Sequence, residues 1–383
     1  MTLPRILLVV GANIHTDVTA GPRRDYAVLA QLLDATIVDR TAVSSSIIAR
    51  ALLRTAGLPP ALAWLAFRRR ADHAVIVTDG EHIGIPLALL LRLARARVKH
   101  VTIGHRLSSP KKRIFFRLFG AHKAMSTILL HSTHQHHAAV RDLGIPAQRL
   151  ALVPYQVDTM YWSPLDRPEE PLIVAAGLEH RDYATLFRAV DGLPVRVVVG
   201  AASLWSRQKL ALSAPPANVE LGTFDYTALR ELYARAALVV VPLADVDNQA
   251  GVTTILEAMA MGKAVVVTQS IGQTDVIEDR RTPSRGLPRP RPVSLTRTIA
   301  AQAGIAAEAT GFYVPPHDAE ALRKTIVYLI DHPTERAQLG RAARRTAEQL
   351  FSVELFAERV AELVRGPAAA PPARAAFARV PNT

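Results

Sequence analysis

The sequence predicts an α/β protein built from two doubly wound units, each around a parallel sheet. Short apolar runs alternate with helical stretches, and this alternation occurs twice along the chain. Unbroken apolar runs are typical of parallel strands, because helices cover both faces of such a sheet. A length of 383 residues fits two domains, and a hydrophobic content of 49% is enough for a core in each.

The first unit offers five strands, separated by apolar helical stretches such as residues 83–93. The predicted strands are Ile6–Val10, Ala35–Val38, Ala74–Val77, His100–Ile103 and Ile128–Leu130. Residues 152–171 are rich in Pro and acidic residues, which is typical of a connection between domains. We therefore expect a first domain over residues 1–165.

The second unit repeats the pattern, and we expect it over residues 166–350. Its predicted strands are Leu172–Ala176, Val195–Val199, Leu238–Val241, Ala264–Val267 and Gly311–Val314, and the final helices are Ala319–Leu329 and Val353–Val364. The alternating Arg and Pro of residues 280–292 predict a surface loop, and the Ala and Pro of residues 366–383 predict a disordered tail.

Composition narrows the possible functions. The chain contains no cysteine, which excludes disulfides, thiolate metal sites and cysteine nucleophiles. A net charge of +13 favours an anionic partner such as a nucleotide diphosphate, an acidic membrane surface or a nucleic acid. No apolar run has the length needed to span a membrane, so we expect a cytoplasmic protein.

Residues 249–268 predict a loop, a helix and a buried strand that together can bind a nucleotide. The loop ends at Gly251, and the apolar helix ends at Gly262, which can adopt the left-handed C-cap conformation. The helix N-terminus offers free backbone N–H groups to an anion, and the hydroxyls of Thr253 and Thr254 lie beside them. One turn further, Glu257 can bind a ribose diol. The simpler alternative is an ordinary helix with Glu257 in solvent.

This segment resembles the signature of retaining glycosyltransferases with the GT-B fold, in the large group-one class. The family shows two Glu residues separated by seven positions; the second falls on Glu257, and the first is replaced by Gln249. The resemblance implies two Rossmann-like domains facing across a cleft, with the acceptor on the first and the nucleotide sugar on the second. It also implies that residues 351–365 form a helix that returns to the first domain.

The resemblance implies further donor contacts in the second domain. Residues 176–183 are similar to the phosphate-binding turn: Gly177 stands at its Gly, Arg181 stands at the usual Lys, and Leu178 replaces the usual Arg. The missing charge is then expected from His180, Lys209 or the helix N-terminus at Val252. Gly200 is expected to form a close turn beside the nucleotide, and Phe224 fits either the turn that holds the base or the core.

In the first domain, the resemblance places His105 at the reaction centre, because a His at the end of this strand contacts the donor sugar in similar enzymes. A loop histidine bonded to local backbone is the alternative. Gly21 can allow the backbone to approach a phosphate or acceptor, and Arg23 or Arg24 can supply charge-assisted bonds. A solvated helix start explains these residues equally well.

The resemblance implies retaining transfer from a nucleotide-diphosphate sugar, a UDP-sugar first of all, without cofactor or metal. The catalytic candidates are His105, Arg181 and Gln249. No carboxylate pair with the arrangement of a hydrolase is evident. Histidines 131, 134, 136 and 137 invite a metal site, but no carboxylate or Cys accompanies them, and a strand-to-helix junction is the simpler interpretation.

Residues 111–119, KKRIFFRLF, are both basic and aromatic. They can lie on an anionic membrane or form a helix with its Phe residues in the core, whereas no nucleic-acid motif accompanies them. Gln249 also keeps a second function open, namely a weakly active or inactive sugar-nucleotide-binding partner subunit. An epimerase or phosphorylase on the same fold is a further alternative.

Overall fold

The computed structural model describes residues 5–14, 21–200, 214–280 and 294–366. The first domain is built on a six-stranded parallel sheet in the order β2-β1-β3-β4-β5-β6. Its elements are β1 (Ile6–Val9), α1 (Asp25–Leu33), β2 (Thr36–Val38), α2 (Ile47–Thr55), α3 (Leu58–Arg68), β3 (Val75–Thr78), α4 (Glu81–Leu93), β4 (Lys99–Gly104), α5 (Pro110–Arg117), β5 (Thr127–Leu130), α6 (Thr133–Leu143) and β6 (Leu150–Leu152).

The second domain has its own six-stranded parallel sheet, in the order β12-β11-β10-β7-β8-β9. Its elements are β7 (Leu172–Ala176), α7 (Tyr183–Val190), β8 (Arg196–Gly200), β9 (Val219–Gly222), α8 (Tyr226–Arg235), β10 (Leu238–Val241), α9 (Val252–Ala260), β11 (Ala264–Thr268), α10 (Leu295–Gln302), β12 (Gly311–Val314), α11 (Ala319–Asp331), α12 (Pro333–Leu350) and α13 (Val353–Arg365).

The prediction of two doubly wound α/β units is confirmed. Every central strand expected from an apolar run is present, with ends that differ by a residue or two. The sequence analysis missed β6 and β9, which are edge strands of three and four residues. Strand β6 is apolar but only three residues long, whereas β9 has a weak apolar pattern, in which Glu220 is exposed and only Val219 is buried.

The sequence analysis also missed α12, whose 18 residues are rich in Arg and Ala. Its buried side consists mostly of Gly and Ala, with Leu339 and Leu350 as the large apolar residues, so its apolar pattern is weaker than that of most amphipathic helices. Gly340 shows why a small residue is needed on this side of α12: a Cβ at position 340 would lie 2.1 Å from the carbonyl oxygen of Gly262. The close approach of α12 to the turn after α9 therefore requires glycine.

Side-chain caps fix where several helices begin. Asp182 accepts a hydrogen bond from the Thr185 amide at the start of α7, Asp225 caps α8 in the same way, and Ser352 caps α13. Each such cap contributes about 1 kcal/mol to helix stability. The predicted C-cap also forms, since Gly262 follows α9 with a φ of +72°.

The connection between the domains is tied to the segment before α13. The amide of Val157 donates to the Phe351 carbonyl at 2.8 Å, and the amide of Val353 donates to Val157 at 3.0 Å. From there α13 packs on the first domain, where Phe356 and Val360 join the apolar cluster of β1 and β3. The chain thus crosses between the domains twice at one place.

Among the described residues, no helix is both long enough and apolar enough to cross a membrane. Three expectations from the sequence fall outside the described residues. These are the tail beyond Gly366, the predicted loop over residues 280–292 apart from Arg280, and the proposed contribution of Lys209.

Candidate active site

The N-terminus of α9 lies at the carboxyl end of the second sheet. Gly251 precedes it with a φ of +76°, and a Cβ there would lie 2.7 Å from Val241 Cγ1 of β10. Glycine is therefore needed both for the backbone conformation and for the close approach. The first turn of α9 presents its backbone N–H groups at the strand ends, and the adjacent Thr253 side chain is exposed.

The Arg181 guanidinium lies against this helix end. Its Nη2 donates to Thr254 Oγ1 at 3.2 Å, and its Nε donates to the Ala176 carbonyl at 2.9 Å. Gly177 makes room for it, since a Cβ at Gly177 would lie 2.4 Å from Nη2. The structure therefore brings Gly177, Arg181, Gly251 and Thr254 together from two separate segments.

Arg181 also donates through Nη1 to the Glu179 carbonyl at 2.9 Å. Burial lowers the pKa of this guanidinium, and the acidic groups around it, Glu257 among them, act in the opposite direction. A guanidinium carries five N–H groups, so three bonds to the protein orient it and leave capacity for an anion. This is a positively charged group held in place before any ligand arrives.

Glu257 is half-buried on α9, one turn beyond Thr254. Burial raises the pKa of its carboxyl group to about 8, although a hydrogen bond from Tyr233 and the charge of Arg181 act to lower it. Tyr233 Oη lies 3.5 Å from Glu257 Oε2. The sequence analysis anticipated Glu257 at this place but not its contact with Tyr233.

Two glycines and an aromatic ring lie near Ala176, whose carbonyl binds Arg181. Gly200 ends β8 and pairs with Gly222 at the end of β9. A Cβ at Gly222 would lie 2.5 Å from Phe224, and one at Gly200 would lie 3.5 Å from it, so the ring covers both positions. Residues 221 and 222 belong to β9 rather than to a turn, and half-buried Phe224 also packs against the core of the domain.

Gln249 lies in the loop between β10 and α9, where its carbonyl accepts a hydrogen bond from the Val252 amide at 3.3 Å. Its side chain is half-buried. Two residues earlier, the Asp247 carboxylate accepts hydrogen bonds from the first domain. Gln249 is thus located on the cleft side of the second sheet, close to the N-terminus of α9.

On the first domain, buried Glu81 holds the loop that carries His105. Its carboxylate accepts hydrogen bonds from the amides of His105 and Arg106, at 2.8 and 3.2 Å, and from the Lys112 ammonium. Burial acts to raise the pKa of Glu81, but the charges of Lys112 and His105 bring it down to about 2. His105 is therefore fixed at the carboxyl end of β4.

Two carboxylates accompany His105, and the sequence analysis missed both. Asp79 follows β3, and its Oδ1 lies 3.7 Å from His105 Nε2. Asp25 begins α1 and accepts a hydrogen bond from Gln156 Nε2 at 2.5 Å. Burial and the charge of Asp79 raise the pKa of Asp25 to about 6. Burial lowers the pKa of His105, but Asp79, Glu81 and Asp25 together raise it above its usual value.

His131 and Tyr155 complete this face of the cleft. The His131 ring is 5.7 Å from that of His105 and 5.0 Å from that of Tyr155. Burial and the charge of His105 lower the pKa of His131 to about 4. Burial raises the pKa of Tyr155, and the carboxylates of Asp25, Asp79 and Glu257 raise it further. Tyr155 therefore lies where the two faces of the cleft meet.

The other histidines of the cluster do not join His131. His131 donates through Nδ1 to the Val153 carbonyl at 2.8 Å, whereas residues 134, 136 and 137 are on α6. Within the part of the chain that the structure describes, no group of His, Cys, Asp and Glu side chains is arranged to hold a metal ion.

Gly21 lies against the second domain, since a Cβ there would lie 2.9 Å from the Tyr226 ring. Arg24 donates to Tyr226 Oη at 3.2 Å. Arg23 pairs with Asp158 and Glu354, each at 2.6 Å. Arg23, which we expected to be available to a phosphate or acceptor, therefore ties α1 to the domain connection and α13.

A second set of contacts joins the domains at the Gln249 loop. Asp247 accepts hydrogen bonds from Arg106 at 2.8 Å and from Ser108 at 2.7 Å. Thr133, at the start of α6, donates to Asp275 through both its amide and its hydroxyl. The loop after His105 is thereby held against the loop that carries Gln249.

A clear signal in the sequence could have found Asp79, one of the two missed carboxylates. Asp79 comes directly after the strand Val75–Thr78, as His105 comes after β4, and polar residues at the carboxyl ends of parallel strands meet at one edge of the sheet. Asp25, Tyr233 and Asp247 gave no such signal, because their partners are distant in sequence.

Comparisons with known proteins agree with this architecture. Residues 188–300 match the family model described as glycosyl transferases group 1. No curated protein is similar enough in sequence to count as a match. Among solved structures, Anabaena HepE in complex with UDP and glucose has a TM-score of 0.64 at 15% identity, covering 94% of this chain and 99% of that one.

Two further structures are similar to the same extent. A glycosyltransferase from Rickettsia africae ESF-5 has a TM-score of 0.63 at 14% identity, covering 94% of this chain and 98% of that one. Sucrose-phosphate synthase from Thermosynechococcus elongatus has a TM-score of 0.63 at 17% identity, with coverages of 94% and 98%.

The chain therefore has the GT-B fold of these solved structures. The match to the group 1 family model lies within its second domain, over residues 188–300. The resemblance to GT-B group-one glycosyltransferases inferred from the sequence is confirmed.

Proposed function

We propose that the protein transfers a sugar from a nucleotide-diphosphate sugar to an acceptor hydroxyl, with retention of the anomeric configuration. The observation that carries this proposal is the convergence of Arg181, Thr254 and the first turn of α9 around Gly251. A fixed guanidinium beside a helix N-terminus is suited to a diphosphate, whose charge grows as the sugar departs. The nearby Glu257 binds the ribose.

In this proposal, the second domain binds the donor and the first domain binds the acceptor. Gly177, Gly200 and Phe224 line the nucleotide, with Val252 and Thr253 offering backbone and hydroxyl groups to the phosphates. Arg181 stabilises the leaving diphosphate, while His105 and Gln249 contact the sugar. The acceptor hydroxyl attacks on the same face, and a donor phosphate oxygen takes its proton. No metal ion or cofactor takes part.

A UDP-sugar is the first donor to test, because the similar Anabaena structure is a complex with UDP and glucose. We expect thermal stability to rise with the correct nucleotide sugar, since a ligand that binds only the folded state stabilises it. Glu257→Ala should weaken donor binding about tenfold or more, which corresponds to the loss of one or two hydrogen bonds. Unchanged donor affinity in this variant would remove Glu257 from the site.

Product analysis then tests the reaction itself. The anomeric configuration of the product, followed by NMR during turnover, should match that of the donor. An inverted product would leave glycosyl transfer standing and reject retention. Hydrolysis or isomerisation of the sugar without an acceptor product would instead favour another reaction on the same fold.

Gln249 favours a second candidate, a partner subunit that binds a sugar nucleotide with little turnover. This candidate predicts donor binding without product under all acceptor conditions. Gln249→Glu restores the charge expected from the family pattern. A large gain of turnover in this variant, with unchanged donor affinity, would support the second candidate.

We assign the protein to the cytoplasm, with peripheral contact at the inner face of the membrane. The basic segment around α5 supports this assignment. Fractionation of cells that express the tagged protein should recover part of it with membranes at low salt and release it at high salt.

A further inference from the structure

The net positive charge of the chain is confined to its first 150 residues. These contain 21 Lys and Arg but only 8 Asp and Glu, whereas residues 151–383 contain 25 of each kind. A charge that merely kept the protein soluble could be spread over both domains. Its concentration on one domain indicates an anionic partner for that domain.

The densest part spans residues 82–141, which include 11 Lys and Arg and no Asp or Glu. Within it, α5 lies beside the end of α4, because Arg92 donates to the Gly120 carbonyl at 3.0 Å. Asp142 lies at the edge of this area and is already paired with Arg141. The exposed cations here include Arg92, Arg95, Lys111, Arg113, Arg117 and Lys123.

Large apolar side chains are exposed among these cations. Leu118 is 71% exposed, Ile114 49% and Phe119 48%, and Leu93 at the end of α4 is 85% exposed. Phe116 points the other way and is fully buried. The Phe residues of this segment are therefore divided between core and surface. We term the exposed side of α5, the following Leu118 and Phe119, and the end of α4 the basic-apolar surface. It combines positive charge with exposed apolar side chains.

We infer that the basic-apolar surface docks on an anionic lipid bilayer. On such a bilayer, the cations of the surface contact acidic headgroups and its apolar side chains enter the acyl boundary. A bilayer therefore matches both the charge and the apolar character of the surface. A nucleic acid would match the cations but would leave Leu93 and Leu118 in water. This inference goes beyond glycosyl transfer and concerns a surface outside the donor site.

The same helix is connected to the cleft. Lys112, on the inner side of α5, binds the Glu81 carboxylate that also accepts the His105 amide. Lys112 is thus part of the support of the cleft loop rather than of the basic-apolar surface. A variant that tests docking must keep it, so that loss of membrane binding is not confused with damage to the cleft.

The experiment is flotation with vesicles of neutral lipid, with and without an anionic lipid. Lys111→Ser, Arg113→Ser and Arg117→Ser combined should lower partitioning onto anionic vesicles about a hundredfold. A control that changes Arg196, Lys324 and Arg345 to Ser removes the same charge from exposed positions of the second domain. The control should float like the unmodified protein, and both variants should retain its circular dichroism and melting temperature.

A second variant tests the apolar component. Leu118→Ser with Phe119→Ser should reduce flotation while leaving the charge intact. Several results would overturn the inference: no flotation of the unmodified protein, equal flotation on neutral vesicles, or equal losses in the cation variant and its control. Loss of binding to a DNA duplex without any flotation would assign the surface to nucleic acid. Because no donor is present, these outcomes are independent of glycosyl transfer.

Discussion

The two faces of the cleft are built on different physical principles. The second-domain face relies on groups whose charge is fixed near neutral pH, namely the Arg181 guanidinium and the N-terminal turn of α9. The first-domain face is a cluster of interacting titratable groups, in which the Asp79 charge raises the pKa of both Asp25 and His105. The first arrangement suits an anion of constant charge, and the second responds to pH.

This difference follows from how each face is assembled. Arg181 is held by backbone carbonyls and Thr254, so its orientation does not depend on a titrating partner. His105 is held through its amide by Glu81, but its ring lies near two other carboxylates. We therefore expect changes on the donor face to alter rate or affinity, and changes on the other face to alter pH dependence.

Arg181→Ala should give the largest effect and directly tests the fixed-charge face. Turnover with a nucleotide sugar should fall at least a hundredfold, because a preorganised donor to a developing charge contributes about 3 kcal/mol. The matched control is Arg188→Ala, which removes an exposed Arg of α7. Product formation that is equal in both variants would reject the role of Arg181 in phosphate binding.

Glu257 is the titratable exception on the donor face. With a pKa of about 8 in the folded protein, above its ordinary value, it stabilises the fold while protonated. This contribution is complete below about pH 4.5 and is lost as pH rises toward 8. Glu257→Gln should therefore flatten the decline in melting temperature between pH 5 and 9. Glu320→Gln, on the exposed side of α11, should leave that decline unchanged; parallel curves for all three proteins would contradict a raised pKa.

Asp25→Asn tests the coupling on the first-domain face. Removing its charge should lower the pKa of His105, because Asp25 helps to hold the imidazolium. The measurement is the pH titration of the His105 ring by NMR. Asp34→Asn changes the same charge at the other end of α1 and should have no effect on His105. A His105 titration that is identical in both variants would show that the cluster is not coupled.

The smallest effect is expected at the contact that joins the two faces. The side chains of Arg106 and Asp247 are 40% and 35% exposed, so the coupling energy of their ion pair should be about 0.5–1 kcal/mol. A double-mutant cycle with Arg106→Ala and Asp247→Ala, followed by thermal unfolding, measures it. Additive single effects would mean that this ion pair does not stabilise the contact between the two domains.

Much of the fold was predictable because its signals are local. The buried strands of both sheets are apolar runs, and Gly251 and Gly262 mark the ends of α9 within the sequence itself. Helix α12 was not predictable in this way, since Gly340 has meaning only when it packs against Gly262. In α5 and the residue pair after it, the sequence also did not predict which Phe residues are buried, since Phe116 lies in the core and Phe119 on the surface.

The sequence by itself determined the two α/β units, the loop, helix and strand over residues 249–268, and the concentration of charge in the first domain, because each depends on residues close together in the chain. Only the tertiary structure decided that Asp25 and Asp79 accompany His105, that Tyr233 meets Glu257, and that Arg23 binds Asp158 and Glu354. These contacts depend on sheet order and domain docking, which bring distant strand ends to one edge. The spacing of these residues along the chain therefore does not predict which of their side chains meet.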